Sequence, residues 1–513
     1  MALWRSTFVV SAMTMLSRIL GLVRDMVLLN VFGAGKEFDV FVVAFRIPNF
    51  FRRLFAEGAF SQAFIPVLTE YKTKLHVEVQ ILISRVFGCL LLLMSSLTLI
   101  AMLAAPYIIY VYAPGFHEHP DKFADAVQMF RLTIPYLMFM SLTAFASSIL
   151  NSYGSFFSPS FSPVLLNAIM IAAAWWLTPY MQTPIMSLGW AVIAAGIIQL
   201  AIQIPELWHK KLLIPPKVDF QHEGVRKILK LMLPALFGVS VTQINLLLNT
   251  IWASFMQDGS VSWLYSAERM TELPLGLIGV AIGTVILPSL SSRHAEQDVE
   301  KFKAMIDWAA RVIILVGVPA SLALFMLSTP IIQALFQHGE FTPQDTKMTA
   351  LALQCMSGGV LAFMLIKVFA PGFYAQQDTK TPVRIGLVAV AANALMNVIL
   401  ITFFKYIDWH APHMALGISS SFSALVNAGL LYYFLHKRDV FRFGSHWKKI
   451  ALQYFIANIV MAIALAIGIH FYNGELSQWL RIAEVLGLCF VGVVAYAVTL
   501  LIVGFRPRDL KHS

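Results

Sequence analysis

Charge is scarce in this sequence. Asp, Glu, Lys and Arg make up 12% of its 513 residues, while 58% are hydrophobic; a soluble domain carries about 25% charged residues. No hydrophilic stretch exceeds roughly 25–30 residues, too few for an extramembrane domain with its own core. Cysteine is nearly absent. Cys89, Cys355 and Cys489 fall inside apolar segments, which points to small buried hydrophobes and away from disulfides or a metal centre. The histidines, among them His117, His119, His209, His294 and His436, are scattered mostly through loops without a helical ligand pair. Phosphate loop, nucleophile elbow and zinc-hydrolase helix are all missing, as is the weak alternation of a membrane β-barrel.

What is there instead is a series of long apolar runs, such as 86–112, 187–204, 311–329, 385–404 and 450–471, each long enough to cross a bilayer as a helix. The chain reads as an all-α integral membrane protein of about fourteen spans. They fall at roughly 7–32, 37–64, 82–112, 124–150, 160–180, 185–206, 226–255, 260–290, 304–329, 346–373, 382–404, 411–435, 447–472 and 479–505. The first is too long and too charged for a signal peptide, so it is expected to be retained. Alternate loops differ in basic residues. One set holds Lys72 and Lys74, Lys210, Lys211, Lys217, Arg226 and Lys227, then Arg293, Lys301 and Lys303, Lys380, Lys437, Arg438, Arg442, Lys448 and Lys449, and the tail Arg506, Arg508 and Lys511; the other holds little beyond Lys36, Lys122, Lys347 and Lys405. The positive-inside rule makes the first set, and both termini, cytoplasmic. The net charge of +10 is thus largely a topology signal, with no nucleic-acid partner implied.

The chain also repeats itself at an offset of about 222 residues, as from Phe64-Ile65-Pro66-Val67-Leu68 to Ile286-Leu287-Pro288-Ser289-Leu290. Ser158-Pro159-Ser160 recurs one residue off that spacing as Thr381-Pro382-Val383, and Ala113-Pro114-Gly115-Phe116 returns, at a different offset, as Ala370-Pro371-Gly372-Phe373. Six spans per copy return the chain to the same side, so the reading is two parallel six-helix lobes, 1–222 and 223–440, with residues 441–513 as two additional helices. In transporters built this way the substrate site lies at the repeat interface.

Against this apolar background stand charges at membrane depth, each costing about 2.5–3.5 kcal/mol at the bilayer centre even on the lenient insertion scale. Arg18, Arg24 and Asp25 lie in the first span, and Asp39, Arg46, Arg52, Arg53 and Glu57 in or at the end of the second. Glu268, Arg269 and Glu272 lie in the eighth, and Lys367 in the tenth. Helical spacing puts Asp39, Arg46, Arg53 and Glu57 on one stripe, with Arg52 roughly opposite. Arg53 and Glu57 are an i,i+4 pair. Asp25, Arg53, Glu57, Glu268 and Glu272 are expected in structural ion pairs. The excess is cationic, and arginine presents a planar fork of donors that matches phosphate oxygens. Arg18, Arg24, Arg52 and Arg269, with Arg46 and Lys367, are therefore the candidate substrate-binding residues for a phosphate-bearing anion, and Asp39, on the Arg46 stripe, is counted with that site. Pro48-Asn49 is expected to break the second helix in mid-span, and Pro274 with Gly276 and Gly279 to bend the eighth.

The run Ser11-Ala12-Met13-Thr14-Met15-Leu16-Ser17-Arg18-Ile19-Leu20-Gly21-Leu22-Val23-Arg24-Asp25 resembles the opening of the MurJ family of bacterial lipid II flippases. So do the residues from Phe50-Phe51-Arg52-Arg53 to Phe64, Gly259-Ser260-Val261-Ser262-Trp263 leading to Ala267-Glu268-Arg269, and Ala370-Pro371-Gly372-Phe373-Tyr374 through Val383. The resemblance implies the multidrug/oligosaccharidyl-lipid/polysaccharide exporter fold. Its implied cargo is lipid II, an undecaprenyl-diphosphate carrying the disaccharide-pentapeptide unit of peptidoglycan. It also implies that Arg18, Arg24, Arg52 and Arg269 serve the diphosphate and headgroup, that Asp39 is a functionally sensitive acid, and that the last two spans receive the isoprenoid tail. Glu268 stands where relatives can have aspartate.

A flippase of this kind is expected in the bacterial inner membrane, working by alternating access as its lobes rock, with no cofactor and no enzymatic step. Sodium or a proton, together with the membrane potential, is the expected coupling, and membrane lipids and the cell-wall synthesis machinery the expected partners. A cationic-drug exporter would favour carboxylates and aromatics over arginines. A flippase for another polyprenyl-diphosphate-linked oligosaccharide is closer in chemistry. A membrane enzyme acting on a lipid diphosphate would need clustered acids for Mg²⁺ or a surface histidine, and the sequence has no such cluster.

Overall fold

The computed structural model describes residues 2–54, 60–74, 78–276, 286–287, 289–293 and 296–506, without the side chains of 2–8, 54, 62, 74 and 233–243. Every regular element among them is helical. In chain order these are α1 (Ala2–Phe32), α2 (Lys36–Leu54), α3 (Phe60–Lys74), α4 (Val79–Leu103), α5 (Ala105–Tyr112), α6 (Pro120–Thr133) and α7 (Pro135–Ser152). Next come α8 (Phe157–Ala172), α9 (Met186–Ala201), the short α10 (Ile204–His209), α11 (Glu223–Ser254) and α12 (Ser260–Pro274). The chain closes with α13 (Val299–Met326), α14 (Ser328–Phe336), α15 (Pro343–Tyr374), α16 (Lys380–Tyr406), α17 (Met414–Lys437), α18 (His446–His470) and α19 (Gln478–Ile502). Ten stretches of described helix are long and apolar enough to cross a membrane. The other four expected spans fall on α1, α2, α11 and α12.

Local sequence explains many of the boundaries. Proline stands in the first turn of α5, α6 and α7, where its missing N–H costs nothing and its fixed φ starts the helix. A capping box opens α15: the Thr342 hydroxyl accepts from the Asp345 N–H, and Asp345 accepts from the Thr342 N–H. Ser158-Pro159 and Thr381-Pro382 occupy the same second and third positions of α8 and α16. The two Ala-Pro-Gly-Phe copies part company. Pro114 opens a 3₁₀ turn between α5 and α6, whereas Pro371 and Gly372 lie inside α15.

The expected break at Pro48 does not occur, and α2 runs continuously through it. Proline at 48 leaves the Ala44 carbonyl without its helical donor, and the Thr133 hydroxyl of α6 approaches it at 3.4 Å, sharing its one hydrogen with the Phe130 carbonyl at 3.3 Å. Such rescue by a neighbouring helix is what lets proline persist in membrane helices. The eighth span departs from regular α-helix near its expected bend, as α12 ends at Pro274 and passes into a π turn at 275–276.

The chain divides into two compact units, Met1–Val261 and Ser262–Ser513. In the first, α1 packs along α8, α8 and α7 along α9, α2 along α6, and α3 and α4 along α7. The helix expected to open the second repeat, α11, packs on α3 and α2, so compactness draws its line later than the division at residue 222 read from the repeat. The segment 215–217 lies across α4: the Lys217 N–H donates to the Ser84 carbonyl, and the Ser84 hydroxyl to the Pro215 carbonyl. Gly88 permits this approach, because a Cβ there would sit 2.3 Å from the Lys217 carbonyl.

In the second unit α15 packs against α13 and α17, α16 against α17, and α18 against α13 and α19. Ile306, Ile313, Met364, Phe369, Phe373 and Leu435 fill one core, and Tyr454, Met461, Leu465, Leu488 and Tyr496 fill another under the C-terminal helices. The Tyr496 hydroxyl donates to the Leu315 carbonyl at 2.7 Å, fastening α19 to α13. The α15–α16 turn is pinned by Asp378, which accepts from the Thr381 N–H (3.0 Å) and hydroxyl (2.6 Å) and from the Arg438 guanidinium (2.7 Å). Partial burial alone pushes the Asp378 carboxyl up, but these donors outweigh it and hold the group down at about 2.

Two expectations follow. Gly88→Ala should displace the 215–217 segment at a cost of about 1–3 kcal/mol, seen as a lower unfolding temperature of the purified protein in detergent; an unchanged temperature would disprove the close contact. Because the folded Asp378 value lies below the usual ~3.9, its stabilisation is complete above about pH 4 and is lost as pH falls towards about 2. Asp378→Asn should lack that part of the acid-induced loss, so wild type and variant should converge in unfolding temperature as the medium is acidified.

Candidate functional site

The charged residues of α1 and α2 settle into three arrangements within the first unit. In the first, Arg24 is 7% exposed and Asp25 2% exposed. The Arg24 Nε and one terminal nitrogen donate to Asp25 Oδ1 at 3.0 and 2.6 Å, and the other terminal nitrogen donates to Asn167 Oδ1 of α8 at 3.1 Å. The Asn167 amide in turn donates to the Ser17 carbonyl at 3.0 Å. Successive helical residues point about 100° apart, yet the long arginine stem folds back onto its neighbour. Asp25, expected to pair with a nearby arginine, thus holds Arg24 itself.

The second arrangement surrounds Asp39, in the first turn of α2. It is 1% exposed and accepts from Lys122 Nζ of α6 at 3.1 Å and from the Gly259 N–H at 2.8 Å. Gly259 has φ +95°, a conformation glycine adopts without penalty. Lys122 is 3% exposed, also donates to Asp258 at 2.5 Å, and lies 4.3 Å from the centre of the Phe116 ring. Asp39, placed by sequence among the substrate-binding residues, is here the buried acid of an ion-pair network joining α2, α6 and the α11–α12 turn. Sequence reasoning treated Lys122 only as a loop lysine. A signal was available: a lysine in the first turn of a helix opposes the helix dipole and needs an acid nearby.

Third, Arg46 reaches from α2 to α11, donating to the Thr250 hydroxyl at 2.5 Å and the Leu246 carbonyl at 3.4 Å. Asp39 and Arg46, on one stripe of the helix, therefore engage different neighbours. Arg52 is half-buried, its Nε donating to Asn49 one turn back at 2.9 Å. Arg53 is half-buried on the same turn, and its expected partner Glu57 lies outside the described residues. Arg18 is exposed on α1, on a face shared with Met15 and Ile19.

In the second unit, Arg269 of α12 donates to Glu272 at 2.9 Å, with both side chains about a third exposed. Glu268 is half-buried and Lys367 exposed on α15. The start of α12 is anchored by Trp263, whose indole N–H donates to Asp345 at 2.9 Å and whose ring lies 5.1 Å from that of His413. Among the described residues no cluster of His, Cys, Asp or Glu could hold a metal ion.

These features can be set beside known proteins. Residues 28–487 match the family model described as lipid II flippase MurJ. A probable lipid II flippase MurJ of Vibrio cholerae is 43% identical, over 100% of this chain and 98% of its own length. Among solved structures, a lipid II flippase MurJ in an inward closed conformation superposes with a TM-score of 0.79 at 26% identity, covering 98% of this chain and 99% of that one. An inward-facing multidrug-resistance MATE transporter of the MOP superfamily shares the fold at a TM-score of 0.66 and 15% identity, over 84% of this chain and 97% of its own.

The Asp39 network generates a stability prediction. Lys122→Ala leaves a buried carboxylate without this cation and should cost about 3–5 kcal/mol. The double variant Lys122→Met with Asp39→Asn should recover much of that loss. Unfolding temperatures of the three proteins in one detergent check both statements, and a Lys122→Ala protein as stable as wild type would remove the network from the account.

Proposed function

The chain belongs to the lipid II flippase MurJ family, and on that footing we propose how its charged helices serve the cargo. It is a lipid II flippase, a multi-pass protein of the bacterial inner membrane whose work is transport, with no enzymatic step. Lipid II presents a diphosphate and a sugar-peptide head that cannot cross hydrocarbon unaided, because their polar groups would lose water without replacement.

Arg18, Arg24, Arg52 and Arg269 are the cations that replace that water, with Arg46 and Lys367 as further positive charge along the route. The observation that carries this reading is their placement. Arg24, Arg52 and Arg269 are each oriented by a residue within one turn of their own helix, Asp25, Asn49 and Glu272. Such prior orientation lowers the cost of ordering a flexible side chain when the anion arrives. Asp39 acts at one remove, by fixing the start of α2. Alternating access presents these cations first to the cytoplasm, where the alternation of basic loops puts both termini, and then to the outside. The isoprenoid tail stays in lipid against the apolar faces of α18 and α19, where Phe455, Ile463, Phe490 and Val493 are exposed. Outward movement of negative charge is favoured by an inside-negative potential, at about 2.3 kcal/mol per charge per 100 mV. A sodium ion or proton resets the cycle, and enzymes of cell-wall synthesis supply and consume the cargo.

Arg24→Ala and Arg269→Ala should each lower translocation about ten- to a hundredfold, the loss of one charge-assisted hydrogen bond. The assay labels lipid-linked precursor from outside cells in which the resident flippase is depleted. Membrane levels and unfolding temperature should stay near wild type for Arg269→Ala, which separates binding from folding. Full complementation by either variant would refute the assignment.

A further inference from the structure

Beside the ends of α7 and α9 and the start of α8 lies an open cleft of about 520 Å³. Ser155 and Phe157 form one wall, Ile202 another, and Glu206, His209 and Lys210 reach into it from α10 and the residue after it. Glu206 accepts a hydrogen bond from the Ser158 hydroxyl, and Lys210 Nζ makes a long contact of 3.4 Å to the Tyr153 carbonyl. Glu206 and Lys210 share the cavity, yet no ion pair joins them to each other or to another charged side chain among the described residues.

Two opposite charges held apart in one cavity are the complement of a zwitterion. The surroundings suit a lipid zwitterion. The cleft sits where membrane helices end, and Phe157 in its wall is 56% exposed, the position aromatic side chains take at the membrane–water boundary. Ile202 and Pro205 add apolar wall next to the charges, which suits the start of a lipid's acyl chains.

We propose that this cavity binds the headgroup of an aminophospholipid, its ammonium on the Glu206 carboxylate and its phosphate on Lys210 and His209. Primary ammonium and phosphate are the needed chemistry, so phosphatidylethanolamine is the matching class and phosphatidylglycerol, which has no cation, is not. The site lies away from Arg18, Arg24, Arg52 and Arg269 in the chain, so its occupancy tests a lipid-binding role separate from cargo handling.

Native mass spectrometry of the delipidated full chain, titrated with phosphatidylethanolamine, phosphatidylglycerol or free phosphoethanolamine, tests it. Glu206→Gln, which retains an acceptor for Ser158, should weaken phosphatidylethanolamine about three- to fivefold, the scale of one partly exposed ion pair, and leave phosphatidylglycerol unchanged. Lys210→Ala should weaken both lipids. Equal binding of phosphatidylethanolamine to Glu206→Gln and wild type would overturn the proposal. So would wild-type preference for phosphatidylglycerol, and displacement of the lipid by an equal concentration of free phosphoethanolamine would assign the cavity to a soluble ligand. Unfolding temperatures in lipid-free detergent establish that both variants are folded.

Discussion

A charge in hydrocarbon must be matched, and the first unit is organised by that requirement. Arg24 takes Asp25 and Asn167, Asp39 takes Lys122 and the Gly259 N–H, and Arg46 takes Thr250. Each match fastens one helix to another: α1 to α8, α2 to α6 and to the turn before α12, α2 to α11. A bilayer offers little hydrophobic force to press helices together, so polar contacts of this kind carry orientation that a soluble protein would leave to its core. The same groups that make these helices costly to insert therefore specify which neighbours they choose.

Backbone groups obey the same rule. Pro48 strips the Ala44 carbonyl of its donor, and the shared Thr133 hydroxyl compensates in part. The helix can then carry Asp39, Arg46 and Arg52 on one continuous element, which keeps their relative rotation fixed. Close contacts add a second constraint. Gly88 lets the chain between α10 and α11 lie against α4, so a segment outside the long spans is held by hydrogen bonds between its own backbone and Ser84 and Cys89. In the second unit neutral groups do much of this matching: the Tyr496, Ser421 and Ser423 hydroxyls donate to carbonyls of neighbouring helices, and Arg438 pairs with Asp378.

Family membership gives these pairings a functional sense. A lipid II flippase has to offer positive charge to a diphosphate without leaving that charge unsolvated when the cargo is absent. Asp25, Asn49 and Glu272 each hold a guanidinium in a defined orientation, and in the proposed reading the cargo competes with them for it. Arginine outnumbers acid in α1 and α2, the sign of imbalance that reading needs.

Composition and periodicity alone determined that the chain is a helical membrane protein, where most of its spans lie, and that its intramembrane charge is predominantly cationic. These are properties of each segment taken singly, set by hydropathy and by the direction of a side chain about its own helix. The motif from Ser11 to Asp25 carried the family for the same reason, being contiguous. What only the tertiary structure decided was the partnerships. Lys122 and Asp39 are 83 residues apart, and Arg24 and Asn167 are 143 apart; helical spacing says where a side chain points but not what stands opposite. Asp39 sits in a buried ion pair with Lys122, and α2 runs on through Pro48 beside α6, neither of which its own helix specifies.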